Sequence, residues 1–101
     1  MTPNITLQVQ YFMGCPHAEQ ALDLVRQYKE RHKNTITKFI EVKDDLQARS
    51  TNFRGSPTIL INGQDMAGIP VPAEPRMACR FYPDGLPSIQ EFEKIVQKLT
   101  L

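Results

Sequence analysis

Arg54-Gly55-Ser56-Pro57-Thr58-Ile59-Leu60-Ile61-Asn62-Gly63-Gln64-Asp65-Met66 carries the clearest structural instruction in the chain. Asn62-Gly63 is a strong two-residue hairpin signal, because the turn that matches strand twist needs positive φ at both central positions. Thr58–Ile61 and Gln64–Met66 are therefore predicted to pair antiparallel. Pro57 opens the first of these strands, one of the few sheet positions that a residue without an N–H can hold.

Upstream, Ile5 to Phe12 alternates Leu7, Val9 and Tyr11 against Thr6, Gln8 and Gln10, the pattern of a strand with one buried face. Ala18, Leu22, Val25 and Tyr28 then recur at helical spacing among Glu19, Asp23, Arg26 and Lys29, which predicts a helix to about His32. Thr35 to Val42 is rich in β-branched and aromatic residues and reads as a second strand. Strand, helix and strand in this short span imply a parallel βαβ unit. Asp44 or Asp45 can cap a short helix to about Asn52, with Phe53 as an apolar anchor. Downstream of the hairpin, Ala67 to Pro87 is proline-rich and holds one short apolar piece, Cys79-Arg80-Phe81-Tyr82. Ser88-Ile89-Gln90-Glu91 is a capping box, and Phe92, Ile95, Val96 and Leu99 give the last helix its apolar face.

The chain has 101 residues, a length that suits one domain over 1–101. A net charge of +1 gives no bulk attraction to nucleic acid or to an anionic membrane, so neither is expected as a partner. The opening Met-Thr-Pro-Asn has no basic segment and the apolar runs are short, so neither a signal peptide nor a membrane span is expected and the chain reads as cytoplasmic. Two cysteines are too few for a disulfide scaffold, and in a reducing compartment such residues are more often catalytic or metal-binding than structural.

Cys15 stands where the first strand turns through Met13-Gly14 into Cys15-Pro16-His17. Proline suits the first helical position, where its missing N–H would have been unpaired, so Cys15 is expected at or beside the N-cap. There its sulfur faces free backbone N–H groups and the positive end of the helix dipole, which favour thiolate over thiol. His17 can add positive charge when protonated. The opposing reading makes Cys15 a small buried hydrophobe.

The order strand, helix, strand, helix, hairpin, helix, with a cysteine at the start of the first helix and Ser56-Pro57-Thr58 opening the hairpin, resembles the thioredoxin superfamily. Val42-Lys43-Asp44-Asp45-Leu46 and Phe53 through Gly63 look like the segment that ends in the cis-proline loop. Tyr11-Phe12 before Gly14-Cys15-Pro16, with Gly55-Ser56-Pro57-Thr58 and the late Cys79-Arg80-Phe81-Tyr82, is similar to small bacterial thioredoxin-like proteins. The resemblance implies an α/β fold, a central mixed sheet of about four strands in the order βαβα-ββα, flanked by helices on both faces. It also implies a cis Pro57 against Cys15, a substrate-binding set of Pro16, His17, Ser56, Pro57 and Thr58, and a Ser56 backbone that pairs with an extended substrate. The activity implied is thiol–disulfide exchange on a protein or small-molecule disulfide, with no cofactor, by a monomer.

One departure matters. The family motif is usually Cys-x-x-Cys, whereas the fourth position here is Ala18; Cys15-Pro16-His17-Ala18 is similar to the Cys-Pro-His-Cys of periplasmic disulfide oxidases with the resolving cysteine lost. A thiolate at Cys15 can still form a mixed disulfide, but its release needs a second thiol: Cys79, glutathione or a partner. On the superfamily's layout the hairpin returns the chain to the active-site edge at about Met66, which makes residues 67–87 an insertion over the site and puts Cys79 inside it. If Ala78–Tyr82 is instead the fourth strand, Cys79 lies further from Cys15. A bond between them needs Cα atoms within about 7 Å. Two alternatives stand beside catalysis: a binding module that kept the fold, supported by Ala18, and a soft-metal or metalloid site using Cys15, His17 and Cys79. Arg54 and Arg80 could hold a substrate carboxylate such as glutathione's, although solvent exposure is the default for arginine. His32 is read as complementing a helix C-terminus, and Tyr11, Phe12 and Phe53 as core.

Overall fold

The computed structural model describes residues 4–101; the opening Met-Thr-Pro, on which part of the signal-peptide expectation rests, lies outside them. Seven elements follow in order: β1 (Thr6–Tyr11), α1 (Ala18–Arg31), β2 (Ile36–Glu41), α2 (Asp45–Ser50), β3 (Thr58–Ile61), β4 (Gln64–Asp65) and α3 (Ile89–Leu99). The strands form one mixed open sheet in the order β2-β1-β3-β4. β1 runs parallel to β2 and antiparallel to β3, and β3 turns back antiparallel into β4. This α/β architecture of four strands and three helices is compatible with a thioredoxin-like fold.

The local chemistry accounts for each boundary. Asn62 and Gly63 take φ of 49° and 83°, the left-handed pair that a tight hairpin demands. Met66 N–H extends the hairpin by donating to the Ile59 carbonyl at 2.9 Å, one residue past β4. Asp44 caps α2 by accepting from the Gln47 N–H. Ser88 and Glu91 close the capping box of α3 reciprocally.

Alternation in β1 places Leu7 and Val9 in the main core, where both are fully buried with Ile59 and Ile61 of β3. α1 contributes Ala21, Leu22, Leu24, Val25 and Tyr28 to this core, and α3 contributes Phe92 and Val96. Tyr28 meets Phe92 edge-on at 5.6 Å between ring centroids. His32 does more than complement a helix end: its Nε2 lies 2.7 Å from the Glu93 carboxylate, tying α1 to α3. A second cluster of Val42, Ala48 and Phe53, joined by Phe12 and Met77, sits beside α2. Gln10, also in β1, instead donates from its side chain to the Thr51 carbonyl at the end of α2.

The start of α1 corrects one expectation. Pro16 is not the first helical residue and Cys15 is not the N-cap; α1 begins at Ala18 and His17 caps it with a left-handed φ of 72°. Gly14, at φ 99°, and His17 bracket Cys15-Pro16, so the chain completes a turn, closed by Ala18 N–H to the Cys15 carbonyl, before it becomes helical. Histidine is among the few residue types enriched in that conformation.

Candidate active site

The site assembles where the turn before α1 meets the loop before β3 and a strap formed by residues 67–87. Cys15 comes from the turn, Ser56-Pro57-Thr58 from the loop, and Cys79 from the strap. The Ser56–Pro57 peptide bond is cis. Cys15 and Cys79 are joined in a disulfide with their Cα atoms 5.5 Å apart, across 64 positions of sequence. The fourth strand is Gln64–Asp65, so Ala78–Tyr82 is not a sheet strand; it makes a single parallel bridge, between Ser56 and Cys79.

That bridge engages both backbone groups of Ser56. Its N–H donates to the Ala78 carbonyl and its carbonyl accepts from the Arg80 N–H, each at 2.8 Å. The Ser56 hydroxyl is held by the backbone of Phe12, accepting from its N–H at 2.9 Å and donating to its carbonyl at 3.1 Å. Thr58 donates its hydroxyl to the Gly55 carbonyl at 2.6 Å. Ser56, Pro57 and Thr58 are all fully buried. The loop expected to receive an extended substrate is therefore covered by the chain's own Ala78-Cys79-Arg80.

Arg80 departs from the default for its residue type. It is not a solvent-facing carboxylate receptor: its guanidinium makes a two-pronged ion pair with Asp65, at 2.6 and 2.8 Å. Both side chains are nearly inaccessible, at 8% and 2% exposed, so each charge needs the other. Burial works against the Asp65 carboxylate. The hydrogen bonds from Arg80, Ile69 N–H and Ala67 N–H, with the charge of Arg80, outweigh it and hold the carboxyl below its ordinary value. Burial likewise works against the Arg80 cation, and the bond to Asp65 keeps its pKa above the usual one. The hydroxyl of Tyr82 donates to the Pro57 carbonyl at 2.6 Å, and burial pushes this phenol up to about 12. Arg80 also lies over the Tyr82 ring, 4.7 Å from its centroid.

Gly55 permits this close approach. A Cβ there would stand 2.8 Å from the Arg80 Cβ, and φ of +109° already disfavours any side chain. His17 places its Nδ1 2.9 Å from the Gln20 side-chain oxygen and meets Tyr82 edge-on, 6.2 Å between centroids. Arg54 donates from Nε to the Ile69 carbonyl at 2.8 Å and lines an open depression of about 480 Å³ beside Cys79. Among the described residues, no group of three or more His, Cys, Asp or Glu is arranged to hold a metal ion.

Of the residues expected from sequence, Cys15 and Cys79 are bonded and Ser56 bridges to Cys79, with Pro16 and His17 following Cys15 and Pro57 and Thr58 following Ser56. Asp65 and Tyr82 were missed. The only signal for Asp65 was an acidic residue that the alternation of β4 turns inward; nothing in the spacing joined it to Arg80. Comparison with protein-family models and with curated proteins returns no match. Among the described residues, no helix is long and apolar enough to cross a membrane.

Proposed function

We propose that this protein performs thiol–disulfide exchange through Cys15 and Cys79 on a thioredoxin-like frame with helices on both faces of the sheet. The two-faced arrangement is supported by α1 and α3 packing on Leu7 and Val9 while Gln10 reaches the end of α2. The observation that carries the function is how Cys79 is held. Its neighbours Ala78 and Arg80 are bonded to Ser56, and Arg80 is paired with Asp65. These ties do not depend on the disulfide. After reduction they keep Cys79 beside Cys15, so one thiol can resolve a mixed disulfide formed on the other, and the pair does what Cys15 with Ala18 cannot.

In this reading Cys15 and Cys79 are the redox residues. Ser56, Pro57 and Thr58 position Cys79, and Pro16 and His17 shape the approach to Cys15. Substrates are disulfides of proteins or small molecules, glutathione can serve as external thiol, and no cofactor takes part. A reversible bond of this kind suits a cytoplasmic monomer, since disulfides there are mostly transient or catalytic. The test is turnover of a disulfide substrate with a thiol reductant by the parent protein and by Cys15→Ser and Cys79→Ser. Exchange predicts turnover by the parent and a fall to the uncatalysed rate in both variants.

The covered state of Ser56 favours one second reading, a binding module whose disulfide is a staple. A bond closing a loop of 64 residues stabilises a fold by about 4 kcal/mol through loop closure. A parent protein without turnover, whose bond persists in every thiol buffer, would favour that reading.

A further inference from the structure

The two cysteines of the bond are not equally exposed. Cys15 is buried, at 8% exposed. Cys79 is exposed and borders the depression of about 480 Å³ that Arg54, Arg76 and Ala78 also line. A second depression of about 530 Å³ follows the turn from Met13 to Gln20 and is lined in part by Cys15, which nevertheless stays buried.

Attack on a disulfide needs the thiolate to reach one sulfur in line with the bond while the other departs, so access and leaving-group acidity decide where it occurs. Access points to Cys79. Leaving ability points the same way, because Cys15 opens the turn that runs into the N-terminus of α1, the positive end of the helix, where negative charge on sulfur is favoured. Resting on the exchange reading above, we propose that Cys79, rather than Cys15, is the sulfur at which an external low-molecular-weight thiol enters.

A thiolate RS⁻ attacks Cys79 Sγ, the Cys15–Cys79 bond breaks, and Cys15 leaves as a thiolate. The protein then carries one mixed disulfide, Cys79–S–SR, and one free thiol. A second RS⁻ attacks the outer sulfur and releases RSSR and the Cys79 thiolate, so two electrons pass from two thiols to the protein. Run backwards, a small disulfide is reduced by Cys79, and Cys15 acts as the resolving thiol. This order is the reverse of that read from the sequence, where Cys15 was the nucleophile and Cys79 the resolver.

The experiment uses the oxidised full-length protein and glutathione. Samples are quenched with acid before reduction is complete, freed thiols are alkylated, and each cysteine-bearing peptide is weighed. Because a freed thiolate beside a mixed disulfide can also take up its outer sulfur, the adduct ratio is followed over time and extrapolated to the earliest quench, where it reports the point of entry. Glutathione should be found on Cys79 about tenfold or more over Cys15, with the freed thiol on Cys15, as access and leaving group together require. Equal adducts, or a majority on Cys15, would overturn the inference and leave exchange intact. Adducts on neither cysteine, with the bond surviving excess glutathione and dithiothreitol, would overturn both.

Discussion

The sheet with α1 and α3 is held together by fully buried apolar side chains, whereas the strap of residues 67–87 is held mainly by directional ties and one covalent bond. Leu7, Val9, Val25, Ile59, Ile61 and Phe92 are all inaccessible. In the strap, Ile69, Val71 and Phe81 are exposed, Tyr82 is buried, and Met77 and Leu86 add partly buried contacts with the two apolar clusters. Its other anchors are the Ser56 bridge, the Arg80–Asp65 pair, the Tyr82 hydroxyl and Cys79 itself. Apolar burial is non-directional and lost only when the whole core opens. A strap held by a few specific bonds can instead be released while the frame stays folded.

That contrast is open to attack at either end. Phe92→Ala, in the frame, should cost about 3–5 kcal/mol, the usual range for a truncated core aromatic. Denaturant unfolding should show one transition at a much lower midpoint; a loss confined to the strap would erase the distinction. Asp65→Ala leaves the Arg80 charge buried without its partner and should cost about 3 kcal/mol. Here hydrogen exchange should rise at residues 76–82 before it rises in β1, and global unfolding of both regions together would count against separate anchoring.

The frame was legible because periodicity and caps are local. The alternation of β1, the α1 stripe ending near His32, the Asn62-Gly63 turn and the Ser88–Glu91 box each follow from a few neighbouring residues. The turn before α1 was misread because Pro16 is compatible with both a first helical position and a turn, and the left-handed φ of His17 decides between them. The strap was hardly legible. Its ties join Ser56 to Ala78 and Arg80, Asp65 to Arg80, and Pro57 to Tyr82, and none leaves a repeating pattern in sequence. An arginine in a proline-rich segment reads as solvated until a buried carboxylate is found beside it.

Acid should weaken the strap by less than Asp65→Ala does, because a protonated carboxyl keeps part of its hydrogen bonding. The Asp65 pKa is lowered in the folded protein. Its contribution is therefore complete above the unfolded carboxylate value of about 4 and is lost as pH falls through the lower folded value. The stability difference between parent and Asp65→Asn should hold from neutral pH down to about 4 and shrink below it. A difference that stays constant into strong acid would mean that the carboxylate charge is not the tie. Tyr82→Phe should have the smallest effect, about 1 kcal/mol, for one hydrogen bond to the Pro57 carbonyl. Its exchange signature should again be confined to the strap, and an unchanged strap would remove Tyr82 from the anchors.

The central claim is that Cys15 and Cys79 form a reversible redox pair. Its most direct test is to equilibrate the protein across a series of thiol–disulfide buffers, quench with acid, and follow the mass of the peptide that links Cys15 to Cys79. The account predicts one cross-linked species that converts reversibly to two free thiols along a two-electron curve, about 30 mV per tenfold change in ratio. A linked peptide that never forms, or one that forms and persists at every poise, would contradict it.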